Sequence, residues 1–327
     1  MKKLIIGILA VAVFFGVVAC TSSTQQKEIK LGHIAAPNTA YDNWAKEFKR
    51  QVEEATNNKY KIVIYGGGQL GGSSALMEGL QAGNIQLAVI TTSDINQFVK
   101  EIDVLDMPFL FRNWDHVEKF LASDVNKELL SLGDQYGLHN LSSMPRGYRH
   151  VTTSEKVGPI NKPEDFEGVK IRVAESPLYI DIFKALGANA QAMAWGEVYT
   201  ALQQGTVEAH ENTIVTTRDY KINEVQKYMS ETGHTFAFGT LMASLDWFKK
   251  LPAEDQAIFQ KAADDSAVKL GIEQKNDESS AKAELIEKGM IFNSVDTGPF
   301  IELEKPVIEK YATGDMKKFY DQIVAIH

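Results

Sequence analysis

A nine-residue unit occurs twice in this chain. Leu80-Gln81-Ala82-Gly83-Asn84-Ile85-Gln86-Leu87-Ala88 is echoed by Leu202-Gln203-Gln204-Gly205-Thr206-Val207-Glu208-Ala209-His210. In each copy a helical pattern runs into a glycine suited to the left-handed helix cap, and a strand begins at once. Around the first copy the elements alternate. Glu28–Ile34 reads as a strand, and Thr39 caps a helix whose apolar face is Tyr41, Trp44, Ala45, Phe48, Val52 and Ala55. Asn57-Asn58 stops that helix. A strand at Lys61–Tyr65, a helix at about Ser74–Gln81 and a strand at Ile85–Ile90 follow. Such βαβα alternation specifies a parallel sheet with helices on its faces. The strands that end the two repeats carry polar groups, Thr91-Thr92-Ser93 in one half and Glu211-Asn212-Thr213 in the other. Ligands of open α/β sheets sit outside the carboxyl ends of strands, so two such ends can face each other across a cleft.

Pro252 opens a helical pattern that runs almost uncapped to Lys288, with Gly289 as its stop. A helix of about 37 residues would reach roughly 55 Å, more than one domain hides, so it is expected to cross behind two domains and tie them together. Gly271 marks the point where it could instead kink or divide.

The N-terminus has the marks of export. Met1-Lys2-Lys3 is followed by sixteen uncharged residues, and Val17-Val18-Ala19-Cys20 ends the run on small side chains. The run falls short of the roughly twenty residues of a comfortable membrane span. Cys20 is the only cysteine, which excludes a disulfide framework, and its place resembles a bacterial lipobox, with residues 1–19 as signal and Cys20 as the lipid-modified mature N-terminus. Residues 20–27 then form a polar tether, and the protein is expected to work on the extracytoplasmic, periplasmic side of a bacterial membrane. Net charge is −9, or −11 once Lys2 and Lys3 are gone. That balance argues against nucleic acid or an anionic membrane surface as partner.

Signals for catalysis are weak. Gly66, Gly68 and Gly71 form G-x-G-x-x-G after a strand, but no acidic residue ends a second strand at the offset a dinucleotide needs, so the glycines read as a tight turn near a ligand or a plain loop. There is no G-x-S-x-G elbow and no zinc-binding pattern, and no cofactor or metal is expected. Glu175 with His210 or His234 is the one loose suggestion of an acid–base pair, the feature an exported enzyme acting on sugar acids would need. A sensor module reporting to a membrane receptor is a third alternative.

The arginines say more. Lys170-Ile171-Arg172-Val173 sets Arg172 inside a short apolar strand, and Gly147-Tyr148-Arg149-His150-Val151 puts Arg149 in another. A guanidinium among Ile and Val needs an anion, because an unpaired buried charge is strongly destabilising. Its planar fork fits a carboxylate, which is supplied either by an Asp or Glu of the protein or by a ligand.

These residues together resemble the solute-binding proteins of tripartite ATP-independent periplasmic (TRAP) transporters, the DctP-like family. The blocks that carry the resemblance are Gln69-Leu70-Gly71, Met107-Pro108-Phe109-Leu110-Phe111, Gly168–Val173, Leu186-Gly187-Ala188-Asn189, Met193–Leu202, Glu208–Asn212 and Asn223–Tyr228. The resemblance implies a two-domain periplasmic-binding-protein-like α/β fold with a cleft and a long connecting helix. Residues 28–147 with about 236–275 would form the first domain, and 148–235 with about 276–327 the second. It implies that Arg172 holds a ligand carboxylate, with Arg149 as a second cationic contact and Asn212 as a hydrogen-bond donor. Trp195 would lie over the ligand, and Thr91, Thr92, Glu175 and His234 would line the cleft. The partners implied are an organic-acid anion and the membrane subunits of a TRAP permease. Where sialic acid binders of the family carry an acidic residue and an asparagine, this chain has Thr91 and Glu175. Glu175 would welcome hydroxyls and repel a second carboxylate, so a sugar acid such as a uronate is favoured over a C4-dicarboxylate.

Overall fold

The structure is a computed structural model that describes residues 27–327. The signal segment, Cys20 and nearly all of the tether lie outside the described residues. Nine strands form one sheet: β1 (Lys27–His33), β2 (Tyr60–Tyr65), β3 (Leu87–Thr91), β4 (Leu138–Thr153), β5 (Lys170–Val173), β6 (Asn189–Ala192), β7 (Ala209–Thr213), β8 (Tyr228–Ser244) and β9 (Ile291–Ser294). Their order is β2-β1-β3-β8-β4-β7-β5-β6, with β9 beside β8. Each end of the sheet is a parallel trio, β2-β1-β3 on one side and β7-β5-β6 on the other. Between them the two longest strands, β4 and β8, run antiparallel through both halves.

The repeated sequence is a repeated structure. Gly83 and Gly205 take φ of 72° and 70°, the left-handed conformation that glycine adopts without a Cβ penalty. The turn bonds correspond, with Asn84 N donating to Gly79 O and Thr206 N to Ala201 O. The strands then enter the sheet alike, since Gln86 N donates to Lys30 O and Glu208 N to Lys170 O. The first strand starts at Leu87 rather than Ile85, because Ile85 fills the face of the preceding helix where Gly79 has no side chain. A Cβ on Gly79 would stand 2.6 Å from Ile85 Cδ1.

The Ala40–Ala55 helix buries Tyr41, Trp44, Ala45, Phe48 and Val52 as its spacing demands, while Ala55, on the last turn, is exposed. Trp44 Nε1 donates to Ser266 Oγ at 3.0 Å, tying this helix to the long one. The long helix is continuous over Ala253–Glu287, 35 residues, or about 52 Å. Its start packs on the first half through Phe259, Ala263, Ala267 and Leu270. Its end packs on the second half through Ala281 and Leu285. Gly271 does not break it. A Cβ there would stand 2.8 Å from the Pro145 ring, so the glycine lets helix and sheet approach where β4 crosses between halves.

The C-terminal helix, Gly314–Val324, departs from the expected division of the chain. His116 Nε2 bonds Ile323 O at 2.9 Å, and Arg112 Nη1 donates to Val324 O at 3.0 Å, so the chain ends on the first half. The cause is the apolar pair Phe319 and Ile323, which joins the core containing Ile102, Phe120 and Leu129.

Candidate functional site

Between the halves lies a cavity of about 620 Å³, part of it open to solvent. Strand ends build its walls. Thr91 closes β3, Arg172 and Ala174 lie at the end of β5, Asn212 sits near the end of β7, and Arg146 and Arg149 come from the crossing segment of β4. Trp195 and Tyr220 supply an aromatic wall, edge to face with ring centroids 4.7 Å apart. The halves touch around it. Ala36 N donates to Tyr220 Oη at 3.0 Å, Gln97 Nε2 to Glu175 O at 3.2 Å, and Asn96 Nδ2 to Ser176 Oγ at 2.8 Å.

Arg172 is 4 % exposed. Its Nε and Nη2 both donate to Met193 O, at 3.0 and 2.7 Å, and its guanidinium carbon stands 5.6 Å from the Trp195 ring centroid. Among the described residues no carboxylate forms an ion pair with it, and Nη1 has no partner. Burial lowers its pKa to about 10, against the attraction of Glu211, so it remains charged at neutral pH. Asn212 lines the same wall, with Oδ1 accepting from Thr213 N at 2.9 Å and, among the described residues, no partner for Nδ2.

Arg149 is equally buried, but its charge is already met. Nε donates to Glu211 Oε2 at 2.5 Å and Nη2 to Glu211 Oε1 at 2.7 Å, a bidentate pair, and Nη2 also reaches Glu211 O at 3.0 Å. Burial pushes the Glu211 carboxyl up, yet Arg149 and His234 pull it down to about 2. Arg149, the expected second cationic contact, therefore reaches the wall as half of an internal ion pair.

Three other expected residues lie elsewhere. Thr92 is fully buried and its hydroxyl faces Asp106 at 3.4 Å and Phe238 O at 3.5 Å, away from the cavity that its neighbour Thr91 lines. Glu175 is exposed and outside the wall, since Ala174 is the residue that turns inward there. His234 sits behind the Arg149–Glu211 pair, with Nε2 3.4 Å from Glu211 Oε2 and Nδ1 bonded to Thr232 Oγ1 at 2.8 Å. The suggested pairing of Glu175 with His210 or His234 is accordingly not assembled. The glycine turn is also outside the wall: Gly67 N and Gly68 N bond Ala35 O and His33 O, and Gly66 is flush against the His33 ring. Among the described residues no cluster of His, Cys, Asp or Glu could hold a metal ion.

Of the wall residues that sequence reasoning missed, Asp94 and Arg146 bring charge to the cavity. Asp94, half-buried, accepts from Ser73 Oγ at 2.5 Å; burial raises its pKa, while Ser73, Arg172 and Arg149 work against that rise. Arg146 donates from Nη1 to Tyr41 Oη at 3.1 Å and from Nη2 to Thr216 Oγ1 at 2.5 Å, and lies over the Tyr41 ring at 4.5 Å. A regular strand puts residues three apart on opposite faces, so Arg146 and Arg149 should not share a wall. They do because β4 bulges at residue 146: Pro145 pairs with Phe238 and Gly147 with Ala237, leaving Arg146 as the extra residue. Polar strand ends and the position of Thr91 pointed near Asp94; nothing in the alternation pattern announced the bulge.

Residues 31–314 match the sequence profile of bacterial extracellular solute-binding protein, family 7, the DctP family. The chain belongs to this family. Its fold is similar to that of three TRAP periplasmic solute-binding proteins of known structure. One, from Polaromonas sp. JS666 with bound D-erythronate, is 30 % identical, with a TM-score of 0.88 over 92 % of this chain and 99 % of that one. A second, from Pseudomonas putida F1 with bound D-glucuronate, is 27 % identical, with a TM-score of 0.87 over 92 % and 97 %. The third, from Sulfurospirillum deleyianum DSM 6946 with bound succinate, is 27 % identical, with a TM-score of 0.86 over 92 % and 99 %. This TRAP solute-binding protein thus belongs among extracytoplasmic transport receptors for small acid anions. No described helix is long and apolar enough to cross a membrane.

Proposed function

We propose that this TRAP solute-binding protein captures a hydroxylated monocarboxylate, a sugar acid such as a uronate, and hands it to a TRAP permease. The observation that carries the proposal is Arg172, a buried cation in the cavity wall with no carboxylate of its own. A ligand carboxylate would take the unused N–H of Nη1 and the free amide of Asn212, with Trp195 against the carbon chain. Arg149, neutralised by Glu211, holds Glu211 and β7 in place behind that contact. The preference for hydroxyls no longer rests on Glu175. Asp94 takes over its part, since its carboxyl oxygens accept from ligand hydroxyls and a second ligand carboxylate offers them no proton. Closure of the halves, as in the Ala36–Tyr220 contact, excludes water and strengthens the ion pair. At the other end of the chain, lipidation of Cys20 would hold the receptor at the membrane beside its permease.

Thermal unfolding of the mature protein against uronates, aldonates, C4-dicarboxylates, keto acids and sialic acid tests the proposal. A ligand at a hundred times its dissociation constant adds about 2.7 kcal/mol, a shift of a few degrees for a chain of this size. A shift with D-glucuronate or an aldonate is expected. A shift confined to succinate or malate would overturn the sugar-acid reading.

A further inference from the structure

The cavity wall contains a second guanidinium without a carboxylate, and it is not Arg149. Arg146 bonds only neutral groups, Tyr41 Oη and Thr216 Oγ1. Asp219 of the same wall feels Arg146 but forms its ion pair with Arg218, whose Nε and Nη2 donate to its Oδ1 at 2.9 and 2.7 Å. Each terminal nitrogen of a guanidinium carries two N–H groups, so Nη1 and Nη2 of Arg146 each keep one that no described residue accepts. The bulge at residue 146 is what turns this side chain into the cavity. Bulges are devices that re-aim a side chain next to a site, and this one costs β4 a ladder position.

The two unpaired arginines stand at different ends of the site. Arg172 pairs with His210 across β5 and β7, and His210 pairs with Thr152 across β7 and β4. Arg146 lies six residues before Thr152 on β4. Strand spacing and rise then separate the two Cα atoms by on the order of 20 Å. Their neighbours differ as well: Arg172 lies against Trp195, and Arg146 against Tyr41. A ligand whose carboxylate sits on Arg172 meets Arg146 only with its far end.

We propose that Arg146 is the residue by which this receptor measures its ligand, donating to an oxygen at the end remote from the carboxylate and so selecting six-carbon sugar acids over four-carbon ones. The proposal rests on the sugar-acid reading above and deepens it. Arg146 has donors only, so the distal group must be an acceptor: a hydroxyl, ring or carbonyl oxygen. Tyr41 and Thr216 come from helices of opposite halves, and by bonding both they fix the guanidinium only when the halves are together. Recognition of the far end is thereby linked to closure.

Calorimetric titration of wild type, Arg146→Met and Arg146→Lys with D-glucuronate, D-gluconate and D-erythronate tests this, with melting temperatures measured alongside. Wild type should prefer the six-carbon acids. Arg146→Met should weaken them roughly tenfold to a hundredfold, while D-erythronate loses no more than about threefold. Arg146→Lys, which keeps the charge without the fork, should lie between and serves if the methionine variant does not fold. Equal losses for both chain lengths would overturn the proposal and make Arg146 a closure contact alone; no loss for either would also overturn it. If wild type binds none of the three acids, the sugar-acid reading itself fails, and a failure of that kind is distinct from binding that ignores residue 146.

Discussion

Arg149 and Arg172 make a natural comparison. Both sit in strands of the second half, both line the same cavity, and each is 4 % exposed. One has a carboxylate bound across its Nε–Nη2 edge; the other has a backbone carbonyl and an aromatic face. Burial acts alike on the two, depressing the charged form. Glu211 attracts both, but it is hydrogen-bonded only to Arg149, whose pKa ends raised while that of Arg172 stays lowered. A buried charge that is met inside the protein serves as framework, and one that is left unmet marks where an anion from outside belongs.

The largest effect that can break this comparison is on stability. Arg149→Met strips the buried Glu211 of its bidentate partner and leaves only His234 beside it, which should cost about 3–5 kcal/mol in denaturant unfolding, whereas Arg149→Met combined with Glu211→Leu should recover most of that loss. Comparable stability of the single and double variants would show that the pair is not a unit. A smaller effect concerns acid. The Glu211 carboxyl sits at about 2 in the folded protein against a usual 4.5, a depressed value. Its contribution to stability is complete above pH 4.5 and is lost as pH falls from there towards 2. The wild type should therefore lose stability over that window relative to the double variant. A difference that stays flat with pH would remove Glu211 as the source.

The sequence makes the framework legible because its signals are local. Helical spacing gives Trp44 and Phe48, the glycine caps give Gly83 and Gly205, and the uninterrupted pattern after Pro252 gives the long helix. The pairing of the halves depends on distant contacts, so the return of Phe319 and Ile323 to the first half is not written in their neighbourhood. In the site, Arg172, Asn212, Trp195 and Thr91 follow from strand ends and from the family resemblance. Thr92 fails by one position, because adjacent side chains at a strand end face opposite ways. Glu175 fails for the same reason beside Ala174. Arg149 lines the cavity, but its ion pair was not legible: its partner Glu211 stands 62 residues away and no local pattern joins them. Arg146 was hidden by a bulge, which shifts the count that alternation relies on.

The most direct test of the account is calorimetric titration of D-glucuronate into wild type and Arg172→Met, with the melting temperature of each ligand-free protein measured beside it. The account predicts that the variant loses binding by a hundredfold or more, as removal of one partner of a buried charge pair costs about 2–5 kcal/mol. It also predicts that the ligand-free variant melts no lower than wild type, because among the described residues no carboxylate is ion-paired with Arg172. Wild-type affinity in Arg172→Met, or a ligand-free variant that melts well below wild type, would contradict the claim that Arg172 is kept unpaired for an anion from outside.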